Sequence, residues 1–461
     1  MKKVITLFLA VLMIAATVFG CAAPDPEPAI SSQAPVEQSA APTAGEGRKQ
    51  ISFWFWGAAT PHQEHIKKVL ADWYNNSQNE YELVIEFRNT VDKDIPVALA
   101  ANAGPDIVYA SGPSYTSVYA QEGKVIDLNK YSEQYGWKDR LLSVMYDACT
   151  IDGKLYSLPN AILIGGIFYN KELFAEKGWT PPKTMDEFTA ICDAAMADGL
   201  YALSAGNKGW KPCNDHFSSM IVNHTISPSN FYQCLKGEIS FDNPEMIKAV
   251  EKSAEWYQKG YLSGNDYTNL DSQEVMQVLA DKRAAMVIAP TLYIQFASQS
   301  FVGDLEDDIG FVPMPSYFTD QMIYDVSMAC NFSISATTPY ADECAKILDH
   351  MMTAEFLAEM TAGWPGYWTV PVKDLSSIDT SKFTGLSKMT IEAIQAAAPE
   401  IDKGNFGFHP STFFPPATSV AWQDIDMVWQ GAVSAEEFCK TVASKMKDEI
   451  NLVCPLAKPA L

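Results

Sequence analysis

The chain has 461 residues, 48% hydrophobic and 12% aromatic, with 33 Lys and Arg against 56 Asp and Glu, a formal net charge of −23. That charge excludes a general nucleic-acid binder, which needs a basic footprint, and disfavours long-range attraction of polyanions. The length and apolar content suffice for sizeable cores and suit two folded units better than one.

At the N-terminus, Lys2 and Lys3 precede an apolar run from Val4 to Gly20 that stops at Cys21. A basic n-region, a short apolar segment and a small residue before the cut predict a signal peptide over 1–20. Val18-Phe19-Gly20-Cys21 resembles the lipobox of bacterial lipoproteins, in which the new N-terminal Cys is acylated. That resemblance makes Cys21 the lipidation site and a lipid the membrane anchor. Residues 22–49 hold five prolines and no aromatic residue. Such a stretch buries too little apolar surface to offset its ordering entropy, and its prolines keep it extended. Residues 21–49 therefore read as a lipidated Cys and a disordered tether. No later apolar run is long enough to span a bilayer, so the expected location is the extracellular face of the cytoplasmic membrane.

The globular sequence begins with Ile51–Trp56, a β-rich apolar run. Ile66, Val69, Leu70, Trp73 and Tyr74 follow at helical spacing. Tyr81–Phe87 reads as a strand, Ile95–Ala101 as a short helix and Asp106–Tyr109 as a strand. Strands alternating with amphipathic helices predict an α/β fold with a largely parallel sheet. Thr184-x-x-Glu187 and Ser434-x-x-Glu437 have the form of capping boxes. Asn243-Pro244 opens another helix, with Pro at its first position. Ala285–Ala289 and Ile309–Val312 are short apolar runs suited to buried strands. Trp73, Trp256 and Trp429 follow helical spacing and are expected in the core.

Eight cysteines remain beyond Cys21, with no C-x-x-C and no framework spacing. Cys192, Cys344 and Cys439 fall in expected helices, where a free Cys packs as a small apolar residue. Cys213 and Cys234 flank loop-like sequence and are the one pair considered for a disulfide.

Several blocks together resemble the bacterial extracellular solute-binding proteins of the maltose-binding type, the substrate receptors of ABC importers. These are GPDIVYAS (104–111) with YAQEGKVIDL (119–128), YSLPNAILIGGIFYNKELFAEKG (156–178), VLADKRAAMVIAPTLY (278–293), NFSISATTPYADECAKILDHMMTAEF (331–356) and VSAEEFCKTVASKM (433–446). The resemblance implies a two-lobe periplasmic-binding-protein-like α/β fold with hinge-connected lobes and a ligand cleft between them. It implies one lobe of 50–160 plus 327–375 and another of 161–326 plus 376–461. It also implies a monomer that delivers its ligand to ABC transporter permease subunits. Pro290-Thr291-Leu292-Tyr293 stands where many relatives have Gly-Pro-Trp, and the polar and charged sugar contacts of the maltose receptor's first lobe do not appear in the loops at 58–59 and 111–114. Maltose itself is thus not implied.

A carbohydrate site needs aromatic faces for sugar rings and polar groups for hydroxyls. The 11 Trp and 20 Tyr favour a sugar or oligosaccharide as ligand, with a peptide, a polyamine or another polar solute left open. Trp56 is placed at the cleft edge by the resemblance. Trp210 lies in the Gly-rich LSAGNKGWKP loop, Tyr293 follows a buried strand, Trp364 and Tyr367 lie in GWPGYW near an expected crossing, and Phe413 lies in HPSTFFPP. Ser111 and Asn207 are the polar loop residues suited to hydroxyls. Asp106 instead suits the backbone donors at a strand end.

Catalytic signatures are few. His62-Gln-Glu-His65 lacks the spacing of a zinc protease, and neither a G-x-S-x-G elbow nor a Walker loop occurs. A binding protein without catalytic residues, metal or cofactor is the expectation. A receptor serving a membrane sensor stays open as an alternative. So does a secreted, lipid-tethered glycoside hydrolase, because carboxylates are abundant.

Overall fold

The computed structural model describes residues 47–264 and 266–461. The signal peptide, Cys21 and nearly all of the expected tether lie outside the described residues. The strands are β1 (Lys49–Trp56), β2 (Tyr81–Arg88), β3 (Ile107–Ala110), β4 (Thr150–Ile151), β5 (Lys154–Leu155), β6 (Leu158–Pro159), β7 (Leu163–Asn170), β8 (Tyr201–Leu203), β9 (Ala284–Pro290), β10 (Ile309–Val312), β11 (Tyr324–Ser327), β12 (Asn331–Ile334) and β13 (Phe406–Phe408).

These strands form two main sheets, one in each lobe. One has the order β2-β1-β3-β12-β6, the other β13-β11-β7-β9-β8 with β10 on β7. In β1, Ile51, Phe53 and Phe55 are buried while Trp54 and Trp56 on the opposite face are half-buried, the period-two signature of a pleated strand. β9 is buried throughout and β7 nearly so, as expected of strands covered on both faces.

The expectation of a largely parallel sheet is corrected. β1 pairs in parallel with β2 and β3, but β12 runs antiparallel to both β3 and β6. In the second sheet β7 is antiparallel to β9, β10 and β11. The chain leaves the first sheet after β6, enters the second through β7, and returns through β12. A strand arriving from the other lobe enters at the end facing that lobe, so its direction opposes that of the locally wound βαβ strands.

Local signals translate well. Residues 60–77 are helical, with one π-helical stretch at Lys67–Asp72. The helix expected near 95–101 starts earlier, at Val91, with Asp92 and Asp94 in its first turn where the helix dipole favours them. Ser434 and Glu437 form a complete capping box, and the Asn243 side chain accepts from the backbone of Glu245 and Met246. At Thr184 only half the box forms, because the Glu187 carboxylate accepts from Lys183 instead. The Asp106 carboxylate accepts from the Ser52 backbone N–H at 2.8 Å. Trp256 and Trp429 are buried, and Trp73 is half-buried and stacked on His350 at 3.6 Å.

All eight described cysteines are free and buried. The Cys213–Cys234 pairing is therefore corrected. Cys213 lies in the first turn of the helix Pro212–Thr225, not in a loop, and Cys234 lies in Pro228–Leu235, where its sulfur accepts from Asn243.

Where the chain passes between the sheets, two segments lie side by side. Asn160 N donates to Cys330 O at 3.0 Å, and Cys330 N donates to Asn160 Oδ1 at 2.9 Å. A third segment joins them: Asn160 Nδ2 donates to Tyr367 O at 3.2 Å, and Ile162 N donates to Thr369 O at 2.7 Å. Buried Asn160 thus bonds its own segment to the two others of the junction. No helix among the described residues is long and apolar enough to cross a membrane.

Candidate functional site

Two side-chain clusters flank the junction. The first grows from the end of β1. Trp56 Nε1 donates to Tyr367 Oη at 2.6 Å, and the rings of Tyr367 and Trp364 stack at 4.7 Å and 18°. His62 lies flat on Trp364, 4.5 Å away at 6°. Trp364 Nε1 then donates to Gln295 Oε1 at 2.9 Å. Gln295 stands on the helix Ile294–Ala297, which follows β9 in the second lobe, so this buried bond ties the crossing segment to that lobe. Gly366 permits the approach. Its φ is +85°, and a Cβ there would sit 2.6 Å from the Thr291 carbonyl oxygen and 2.7 Å from Ile294 Cβ. Only glycine meets both demands.

The second cluster lies wholly in the second lobe. His216, on the helix Pro212–Thr225, has the ring of Trp210 at 5.1 Å, that of Tyr293 at 5.3 Å and that of His409 at 5.4 Å, all edge-on. His216 Nδ1 meets His409 Nε2 at 3.2 Å, and His409 Nδ1 meets Ser411 Oγ at 3.0 Å. Asp215 Oδ2 is 3.8 Å from His216 Nδ1. Burial holds His216 well below the ordinary histidine range, with His409 adding to the effect, and burial raises the Asp215 carboxyl. His216 Nε2 and Asp215 Oδ1 are buried without a hydrogen-bond partner.

The eight residues expected at the site divide clearly. Trp56, Trp364 and Tyr367 are brought together at the junction. Trp210 and Tyr293 meet through His216, and Tyr293, two residues before Gln295, connects the clusters along the chain. Trp210 is 45% exposed, whereas Trp364, Tyr293 and Phe413 are buried. Phe413 packs on Phe408 at 4.9 Å in the second lobe. Asn207 anchors the Trp210 loop, its side chain donating to Asn214 Oδ1 and accepting from Asn214 N. Ser111 stands apart in the first lobe, donating to the Asp92 carboxylate beside Tyr109. The two lobes approach here as well: a Cβ on Gly112 would lie 3.4 Å from the Thr412 carbonyl oxygen.

Sequence reasoning missed Asp215, His216, His409, Gln295 and Asp92. One signal was available. Pro212–Thr225 is rich in polar residues, yet Asn214, Asp215, His216, Ser218, Ser219, Asn223 and His224 are all buried. Beside the apolar stripe Cys213, Phe217, Met220 and Ile221, so few charged residues and so many small polar ones on the remaining faces mark a helix that is not an ordinary surface element. Chemically, the arrangement offers an aromatic face and unpartnered buried polar atoms beside a hydrogen-bonded junction.

The family model described as bacterial extracellular solute-binding protein matches residues 71–384. The "Multiple sugar-binding protein" of Streptococcus mutans is 28% identical over 214 residues, which is 44% of this chain and 49% of that relative. The chain thus spans about half the length of the curated relatives it matches. Among solved structures, one from a study of xylan utilization by Caldanaerobius polysaccharolyticus superposes with a TM-score of 0.73 at 21% identity, covering 86% of this chain and all of that one. A chitin oligosaccharide binding protein superposes with a TM-score of 0.72 at 19% identity, covering 88% of this chain and 99% of that one. At these identities the likeness is one of fold, two lobes about a junction.

Proposed function

The chain belongs to the family of bacterial extracellular solute-binding proteins, and from that membership we propose that it captures a sugar or oligosaccharide between its lobes and delivers it to the permease of an ABC importer. The observation that carries this reading is Trp210. It is the one Trp among the exposed large apolar residues of the described chain, and it stands beside a wall of buried polar side chains. A half-exposed indole is an apolar platform for a pyranose ring, and the polar atoms around it suit hydroxyls. Trp56 offers the corresponding aromatic edge from the first lobe. Ser111 and Asn207 supply polar groups, and Tyr293, Trp364, Tyr367 and Phe413 shape the walls behind them. The proposed lobes are 50–160 plus 327–375 and 161–326 plus 376–461, with Cys21 carrying the lipid that holds the protein outside the membrane. Hinge closure around a ligand is the motion known for periplasmic binding proteins in general. A permease distinguishes loaded from empty receptor when ligand favours the closed state.

The test is a thermal-shift screen across mono- and oligosaccharides. A ligand that binds only the folded state raises the melting point in proportion to the logarithm of its concentration. A hit is confirmed by calorimetry and recovered intact after overnight incubation. A screen in which no carbohydrate moves the melting point, while amino acids or peptides do, overturns the sugar reading. Cleavage of the hit overturns the reading of a pure receptor.

A further inference from the structure

We propose that Asp215, His216 and His409 form a binding site for a divalent transition-metal ion of the zinc type in the second lobe, beside Trp210. One ligand atom from each residue lies within 4.8 Å of the others, and all three residues are buried. No other three His, Cys, Asp or Glu side chains among the described residues converge so closely. His216 Nδ1 and His409 Nε2 face each other at 3.2 Å. With metal–nitrogen bonds of about 2.0–2.1 Å, two ligands of a tetrahedral ion stand about 3.3–3.4 Å apart, so these two nitrogens are already spaced as one edge of such a site. Asp215 Oδ2, 3.8 Å from His216 Nδ1, lies close to a second edge.

The polar accounting points the same way. Asp215 Oδ1 is buried and accepts no hydrogen bond. A buried carboxylate oxygen without a donor or cation is costly, and a metal ion beside it removes that cost. His409 is held from behind: its Nδ1 meets Ser411 Oγ at 3.0 Å, which orients the ring with Nε2 toward His216, as outer partners do for metal-bound imidazoles. Two imidazoles and one carboxylate favour zinc, nickel or copper over magnesium or calcium, which prefer oxygen donors. Three protein ligands leave one coordination position for water or another small donor.

The ion itself is the probe. Untagged full-length protein, stripped with chelator and kept free of carbohydrate, is titrated with Zn2+ by calorimetry, and with Co2+ while following its visible absorption. The expected result is saturable binding of one equivalent, with Co2+ bands characteristic of four-coordinate ligation. His216→Gln, His409→Gln and Asp215→Asn each weaken binding by roughly tenfold or more, and Ser411→Ala, which removes the hydroxyl that meets His409 Nδ1 and also lies by the Asp215 carboxylate, by roughly 10–100-fold. Each variant is compared at its metal-free unfolding midpoint. If a ligand variant does not fold, Ser411→Ala and the wild-type Co2+ spectrum decide. Wild-type protein that shows no one-equivalent binding, or well-folded His409→Gln with unchanged affinity, overturns the proposal and leaves a His–His hydrogen bond. The carbohydrate screen is run separately on stripped protein, so failure of one reading does not mask the other.

Discussion

Trp210→Ala separates a ligand platform from a packing residue. The indole is 45% exposed and its ring meets His216 edge-on at 5.1 Å. Deleting a fully buried Trp costs roughly 3–5 kcal/mol. With about half of the ring in solvent, Trp210→Ala should cost about half of that, roughly 1.5–2.5 kcal/mol at most. Trp422 supplies the comparison. It is fully buried between Phe414 at 5.6 Å and Phe438 at 5.7 Å, so Trp422→Ala should show the full core cost. Affinity should behave in the opposite order. If Trp210 carries a sugar ring, its truncation should remove about 1–3 kcal/mol of binding, the range for an aromatic anchor, or roughly five- to 150-fold in Kd. Trp422→Ala, assayed where it remains folded, should leave Kd nearly unchanged. Calorimetric affinity for the hit of the carbohydrate screen and urea midpoints for both variants complete the comparison. Unchanged affinity in Trp210→Ala, with a stability loss as large as that of Trp422→Ala, would refute the platform.

Gly366→Ala should destabilise the protein by more than the roughly 1–2 kcal/mol cost of a left-handed residue with a side chain, because its Cβ would also strike Thr291 and Ile294; urea midpoints read this directly. Burial, and secondarily His65, lowers the His62 imidazole from its ordinary 6.5 to about 4. The folded state therefore disfavours the proton that the unfolded chain accepts, and stability should fall as pH drops from about 6.5 toward 4. His62→Phe keeps a ring on Trp364 and should flatten that part of the pH profile; an unaltered slope assigns the acid loss elsewhere. Saturating ligand should reduce the radius of gyration measured by small-angle scattering, and an unchanged radius with binding confirmed would count against closure. Cys21→Ala should move the protein from the membrane fraction to the soluble one or leave it unprocessed, with mass spectrometry of the wild type reporting lipid on Cys21.

What the sequence determined by itself was local. The apolar run Ile51–Trp56, the helical spacing through Tyr74, and the caps at Asn243 and Ser434 depend on neighbours a few residues away, and each appears in the structure as the strand, helix or helix start expected of it. The family blocks added the two-lobe architecture, because they preserve element order over nearly the whole chain. Only the tertiary structure decided strand direction. β12 runs antiparallel to β3 because the chain re-enters that sheet from the other lobe, a fact no local window contains. It also decided which polar residues are buried. His216 and His409 lie 193 residues apart in the chain and 3.2 Å apart in space, and Trp364 reaches Gln295 across 69 residues. Pairings of this kind follow from how sheets and junction bring distant segments together. The burial that perturbs these groups, and gives them any chemistry, exists only once that packing is complete.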